Sequence, residues 1–181
     1  MEAAVPKVIR TSRLLLRPYE EADAELLRPI LADSGTYLSD WLPPHVWEVV
    51  PIETLRERLS NYADLFMQNV EWRYGAFSLD GRELLGSVGL FLRNGSGRVP
   101  FGQADRAEVG YWIRKDRSGE GLATEGTVAM IDVARRLPGI AQIEIRCSVR
   151  NAASSAIPRR LGFHLADPAA EDDLQVWVTN A

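Results

Sequence analysis

The sequence predicts a mixed α/β domain, an α+β arrangement with helices on the faces of a mixed sheet. Three observations carry that expectation. Asp80-Gly81 lies between two apolar runs and reads as a hairpin turn, which demands antiparallel pairing. The strand–helix–strand run from 108 to 149 calls for a parallel, right-handed crossover. Helical and two-residue periodicities alternate along the chain with no internal repeat and no long linker. The order that results is β-α-α-β-β-β-α-β-α-β-β, about seven strands and about four helices in a single domain spanning 1–181.

Arg13-Leu14-Leu15-Leu16-Arg17-Pro18 reads as the first strand, ended by the proline. Glu20 to Ala32 reads as a helix that Pro29 should kink or end. Thr36 to Val50 is rich in Trp and Pro and aperiodic, so an ordered loop is expected. Pro51 opens a second helix, on which Leu55, Leu59, Tyr62 and Phe66 follow helical spacing. Trp72 to Leu79 and Glu83 to Leu92 are the hairpin strands, and residues 93 to 106 read as a glycine-bearing surface loop. Glu108 to Ile113 is the next strand. A Gly-rich turn, Arg117 to Gly121, leads into a helix from about Leu122 to Leu137, closed by Pro138-Gly139. Ile143, Ile145, Cys147 and Val149 alternate with polar residues, which is a strand. Asn151 caps a short helix to about Arg160, an unfavourable place for Pro158. Phe163 to Ala166 and Leu174 to Thr179 close the sheet.

Composition excludes several classes. The 181 residues are ample for one core, and 46% hydrophobic with 25% charged is ordinary for a globular chain. A formal charge of −4 argues against nucleic acid as the main ligand and suits a cationic amine. One cysteine, Cys147, allows no internal disulfide, and with two histidines it makes no ordinary zinc site, so no metal is expected. No apolar run is long enough for a membrane span. The stretch from Met1 to Lys7 lacks the apolar core of a signal peptide, which points to the cytoplasm.

The sharpest chemical signal is Arg117-Ser118-Gly119-Glu120-Gly121-Leu122-Ala123-Thr124-Glu125, placed between a strand and a helix. Glycines let the backbone approach a ligand, and the helix start offers N–H groups with no partner inside the helix. Those donors and the helix dipole favour a phosphate. Arg114, Lys115 and Arg117 add positive charge. The competing reading is a tight turn that binds nothing. A P-loop is excluded because no Gly-Lys-Ser/Thr ends the turn. A dinucleotide fingerprint would need a third glycine where Thr124 stands.

Glu108-Val109-Gly110-Tyr111-Trp112-Ile113, this turn, and Asn151-Ala152-Ala153-Ser154 ten residues before Leu161-Gly162-Phe163 together resemble the GNAT acetyltransferase superfamily. Arg13 to Pro18 and Trp41-Leu42-Pro43 resemble its RimJ/RimL-type branch, which acetylates the N-termini of ribosomal proteins. The resemblance runs from about Thr11 to Trp177. It implies the GNAT fold, a mixed, mostly antiparallel, splayed sheet flanked by helices, with acetyl-CoA as cofactor and an amine as acceptor. The family's phosphate signature, Gln/Arg-x-x-Gly-x-Gly/Ala, falls on Ser118, Gly121 and Ala123, so a serine replaces the first residue. The amides from Gly119 through Glu120, Gly121, Leu122 and Ala123 to Thr124 remain to bind. In the family the pantetheine arm adds to the splayed strand, which implies Val109 to Arg114, Tyr111 and Ile113 included, along the arm. An amide of Val109 or Gly110 would meet the thioester oxygen, with a bulge at Gly110.

The reaction needs a neutral amine, a donor to the oxyanion and a proton for the leaving thiolate. Glu108 is the first choice of base; the alternatives are a carboxylate that orients the acceptor, or a strand-end residue paired with arginine. Ser154 matches the family serine and is the first choice of acid, against a plain helix first-turn residue. Tyr111 is the other donor candidate, against a core aromatic. Asn151 bonds the cofactor or caps its helix. Cys147 reads as a buried, inert thiol.

Tyr37, Trp41, His45 and Trp47 are candidate walls of the acceptor pocket, or else pack the helices onto the sheet. The connection from Ala166 to Asp173 is shorter than in the ribosomal-type enzymes, where it can hold a general base, and its acids Glu171, Asp172 and Asp173 read as a solvated turn or else as acidic substitutes for that base. The expected acceptor is the N-terminal amine of a protein or peptide. The alternatives are a small amine, such as an amino acid derivative, polyamine or antibiotic, and a non-catalytic CoA-binding module. A nucleotide-binding regulator is a distant third. A monomer or homodimer is expected, with neither nucleic acid nor membrane as partner.

Overall fold

The computed structural model describes residues 5–166 and 173–181. The strands are β1 (Ile9–Arg10), β2 (Leu14–Pro18), β3 (Glu71–Ser78), β4 (Leu84–Asn94), β5 (Gly97–Arg98), β6 (Arg106–Ile113), β7 (Gln142–Ser148), β8 (His164–Leu165) and β9 (Leu174–Asn180). They form one nine-stranded sheet in the order β1-β2-β3-β4-β6-β7-β9-β8, with β5 added to β4. Every pairing is antiparallel except β6 with β7. The helices are α1 (Ala24–Ser39), α2 (Pro44–Trp47), α3 (Ile52–Met67), α4 (Leu122–Ala134) and α5 (Ala152–Arg160).

Side chains alternate across the sheet and build two cores. Trp72, Tyr74, Val88, Leu90, Ala107, Val109, Ile143 and Ile145 face α4 and α5. On the other face Phe77 and Leu84 meet Leu27, Leu31, Leu55 and Leu59 of α1 and α3, with Trp112 packed beside them. The even residues of β6, among them Glu108 and Gly110, therefore point to the α1–α3 face. The odd ones, Val109, Tyr111 and Ile113, point to the α4–α5 face.

The architecture matches the expected mixed sheet, with corrections. Two strands of two residues each, β1 and β5, are too short for any periodicity to reveal. The expected loop from 93 to 106 holds the end of β4, all of β5 and a single 3-10 turn at Phe101–Gln103. The first helix does not stop at Pro29. After a 3-10 turn at Glu21–Asp23 it runs to Ser39, and α2 fills part of the expected loop from 36 to 50. Pro29 is tolerated because the carbonyl it deprives, that of Glu25, belongs to an exposed residue that water can reach. The register between β4 and β6 is continuous, so no bulge forms at Gly110; the register shift lies at Ala76/Phe77 instead. Among the described residues no helix is long and apolar enough to cross a membrane, and no group of acids, histidines and cysteines suits a metal. Glu171 and Asp172 lie outside the described residues.

Candidate active site

β6 and β7 start as parallel neighbours and then part. Only Arg106, Ala107 and Glu108 pair with β7, although β6 continues to Ile113 and β7 to Ser148. The N–H of Arg114 donates to the Leu85 carbonyl of β4 at 2.9 Å. Backbone direction alternates along a strand, so the main-chain groups of Val109, Tyr111 and Ile113 turn away from β4, into the fork. The N–H of Gly110 turns to β4, which removes it as an oxyanion donor.

The fork opens onto the start of α4. Gly119 and Gly121 have φ of +86° and +81°, a left-handed conformation that side chains resist. Gly121 is the N-cap, and among the described residues no side chain caps this helix. Ser118 to Gly121 are exposed. The N–H groups of Leu122, Ala123 and Thr124 precede the first helical hydrogen bond, Glu125 N–H to the Gly121 carbonyl at 3.1 Å. Such an end fits a diphosphate, and the fork beside it fits an extended arm.

A clamp that the sequence alone does not reveal holds this turn from behind. The Glu125 carboxylate, in the first turn of α4, accepts from Thr11 Oγ1 at 2.6 Å, from the Arg13 N–H at 2.7 Å and from Arg13 Nε at 2.7 Å. Arg13 also donates to the Glu120 carbonyl at 2.8 Å. Burial opposes ionisation of Glu125, but the bonds from Thr11 and Arg13 outweigh it and hold the carboxyl below its ordinary range. The arginines expected to add charge are engaged nearby. Arg114 pairs with Asp116 at 2.6 Å, and Arg117 with Glu120 at 2.8 Å and Glu83 at 3.2 Å. The backbone, rather than free guanidinium charge, offers the anion site.

Hydroxyls bridge the fork on the α4–α5 side. Asn151 caps α5, its Oδ1 accepting the Ser154 N–H at 3.0 Å. Pro158 has no N–H, so the Ser154 carbonyl, four residues earlier, loses its helical donor. Tyr111 Oη supplies one instead at 3.0 Å, and the same oxygen lies 3.1 Å from Ser154 Oγ. Burial pushes the Tyr111 phenol up to about 12, against an opposing hydrogen bond with Ser154, so it stays protonated at physiological pH. Burial likewise pushes the Cys147 thiol up, with Ser154 and Trp177 beside the sulfur, in keeping with an inert cysteine.

On the α1–α3 side, Glu108 stands at the crotch of the fork with Glu144 as its register partner. Like charges so placed repel. Arg93 lies between them, 2.8 Å from Glu108 Oε2 and 3.1 Å from Glu144. Arg98 lies 3.9 Å from the other Glu108 oxygen. The expected wall residues divide. Tyr37 reaches the glycine turn, its hydroxyl 3.4 Å from Ser118 Oγ. Trp47 packs with Tyr37 on the helical core. Trp41 is half-buried just beyond α1, and no hydrogen bond links it to the fork. His45 overlooks the charged face: burial, then Arg73, Arg58 and Arg98, lower its pKa. Two shallow surface hollows, one beside Glu53 and Asp64 and one beside Leu26 and Arg82, hold neither Glu108 nor Ser154.

Residues 13–164 match the model of the acetyltransferase (GNAT) domain. The chain is similar to the [ribosomal protein uS5]-alanine N-acetyltransferase of Escherichia coli (strain K12), 27% identical over 168 residues, 88% of this chain and 79% of that protein. Two solved structures share its fold. One is RimL, the ribosomal L7/L12 alpha-N-protein acetyltransferase, in complex with coenzyme A; its TM-score is 0.77 at 21% identity, over 96% of this chain and 97% of that one. The other is the microcin C7 self-immunity acetyltransferase MccE with acetyl-CoA and AMP; its TM-score is 0.79 at 17% identity, over 99% of each chain.

Proposed function

Because this chain belongs to the GNAT acetyltransferase family, we propose that it moves the acetyl group of acetyl-CoA to a primary amine, first of all the N-terminal amine of a protein or peptide, by direct attack. The observation that carries this reading is the fork between β6 and β7 opening straight onto the uncapped, glycine-shaped start of α4. When bound, acetyl-CoA supplies an activated acyl group and a thiolate able to leave.

The chain's own residues do the rest. The amides from Gly119 to Thr124 hold the diphosphate. The free edge of β6 from Val109 to Ile113 pairs with the extended arm, as a strand would. A fork-facing amide, at Val109 or Tyr111, donates to the thioester oxygen. Glu108 takes the amine proton, directly or through water, on the oxygen that Arg93 leaves open. Ser154, its hydroxyl ordered by Tyr111, returns a proton to sulfur. Asn151 sets the helix that carries Ser154. The N-terminal amine as acceptor follows the activities of the uS5 and L7/L12 relatives.

A thiol-release assay across N-terminal peptides, polyamines, amino acids and aminoglycosides tests the reading. Turnover with peptides is the expected result; turnover with small amines alone would redirect the acceptor, and none with any acceptor would sink the enzyme as described. Glu108→Gln is expected to lower kcat by roughly a hundredfold or more, the usual share of a general base, with acetyl-CoA affinity kept. Unchanged kcat removes Glu108 from the mechanism.

A further inference from the structure

The chain as a whole is acidic, yet the α1–α3 face beside the fork is not. Five arginines gather there: Arg58 on α3, Arg73 on β3, Arg93 on β4, Arg98 on β5 and Arg146 on β7. Three glutamates answer them. Glu71 pairs with Arg73 and lies 3.7 Å from Arg98. Glu108 pairs with Arg93, and Glu144 pairs with Arg93 and lies 3.4 Å from Arg146. These eight side chains carry a formal excess of two positive charges within a chain of net −4.

The excess is localised. Arg58 Nη1 is buried with no hydrogen-bond partner among the described residues, a costly arrangement unless something else satisfies it. Arg73 and Arg98 lie over the Phe91 ring at 4.7 and 4.2 Å from its centre. That ring rests against the fork strand, because a Cβ on Gly110 would stand 2.9 Å from Phe91 Cε2. Half of the Arg98 side chain is exposed, so it can reach a ligand. Burial first, and then the charges of Arg73, Arg58 and Arg98, disfavour the charged form of His45 on α2.

We propose that this cluster is a carboxylate-binding subsite that selects amine acceptors with an acidic side chain in their second or third residue. The proposal rests on the reading of β6 as the place of acetyl transfer. An extended peptide advances about 3.3 Å per residue. With its amine at Glu108, its second or third side chain comes within reach of Arg98, which lies 3.9 Å from the Glu108 carboxylate and over the Phe91 ring. Guanidinium groups bind carboxylates through paired, charge-assisted hydrogen bonds.

The test uses alanine tetrapeptide amides that differ only in carrying aspartate, asparagine or lysine at position two or three. The aspartate peptides should exceed the asparagine ones in kcat/KM by about tenfold or more, the effect of one charge-assisted bond, and lysine should rank last. Arg98→Gln should bring the aspartate-to-asparagine ratio close to one, and Arg98→Glu should invert the ranking in favour of lysine. Calorimetry with the N-acetylated peptides reads the same preference without turnover. Equal binding and equal kcat/KM for aspartate and asparagine overturn the subsite even if every peptide is acetylated. Charge-selective binding without any acetylation leaves the subsite standing and removes the transfer reading instead.

Discussion

Replacing Glu125 by alanine should loosen the diphosphate turn before any ligand is present. The carboxylate accepts three hydrogen bonds, at 2.6, 2.7 and 2.7 Å, and its side chain is 16% exposed. A bond to a charged group contributes about 1.5–3 kcal/mol. The Arg13 side chain is 50% exposed, which reduces its ion pair to about 1 kcal/mol or less. Water can also replace the partner of the exposed Arg13 N–H, and Thr11 Oγ1 keeps its contact with Leu14. The net loss is about 2–3 kcal/mol by that reckoning. At ~2–4 °C per kcal/mol for a chain of this size, Tm should fall by roughly 5–10 °C in a thermal melt of the protein alone. Because the clamp also fixes the Glu120 carbonyl through Arg13, affinity for coenzyme A should weaken as well.

The pH dependence has a definite sign. The folded-state pKa of Glu125 is held below its ordinary value of 4.5, so the stabilisation is complete above 4.5 and is lost as pH falls through the lower, folded value. The Tm gap between wild type and Glu125→Ala should be widest near neutrality and should close in acid. A gap under about 1 °C at pH 7, small against the expected shift, refutes the clamp. A full Tm loss with unchanged coenzyme A affinity refutes its role in setting the turn.

Other outcomes follow from the same geometry. Gly119→Ala meets open space, so its cost is the left-handed backbone alone, about 1–2 kcal/mol; melts and coenzyme A titration should both register it. Tyr111→Phe strips the Ser154 carbonyl of its donor, which should cost about 1–3 kcal/mol in urea unfolding and lower kcat with acetyl-CoA KM little changed. Because that phenol is pushed up to about 12, the wild-type pH–rate profile should show no break from it below pH 10. Cys147 should resist thiol reagents at pH 7.5 in the folded protein and react once the chain is unfolded; prompt labelling of the native form contradicts the raised pKa.

Much of the fold was legible because it follows local rules. The turn at Asp80-Gly81, the alternation from Ile143 to Val149 and the helical spacing on α3 each fix one element from neighbouring residues. The missed features depend on distance along the chain. Thr11 and Arg13 meet Glu125 across more than a hundred positions, and nothing in either segment announces the other. Arg93 reaches Glu108 and Glu144 only because a parallel crossover sets those carboxylates side by side. Pro158 looked like a fault in a helix. It is the reason that the Ser154 carbonyl is free for Tyr111. Arg58 gave no signal, since an arginine on an amphipathic helix reads as solvated until its neighbours are known.

Three residue pairs, with the Ala141 N–H on the Asp105 carbonyl at 2.8 Å just before them, fasten β6 to β7, and beyond them the molecule's two half-sheets meet through side chains and helices. Mechanically that is a seam. A force drawing β9 away from β3 would open the sheet there first, unzipping toward Arg106. Whatever lies along the seam acts as a splint across it, so substrate saturation and resistance to tearing should rise together in this protein.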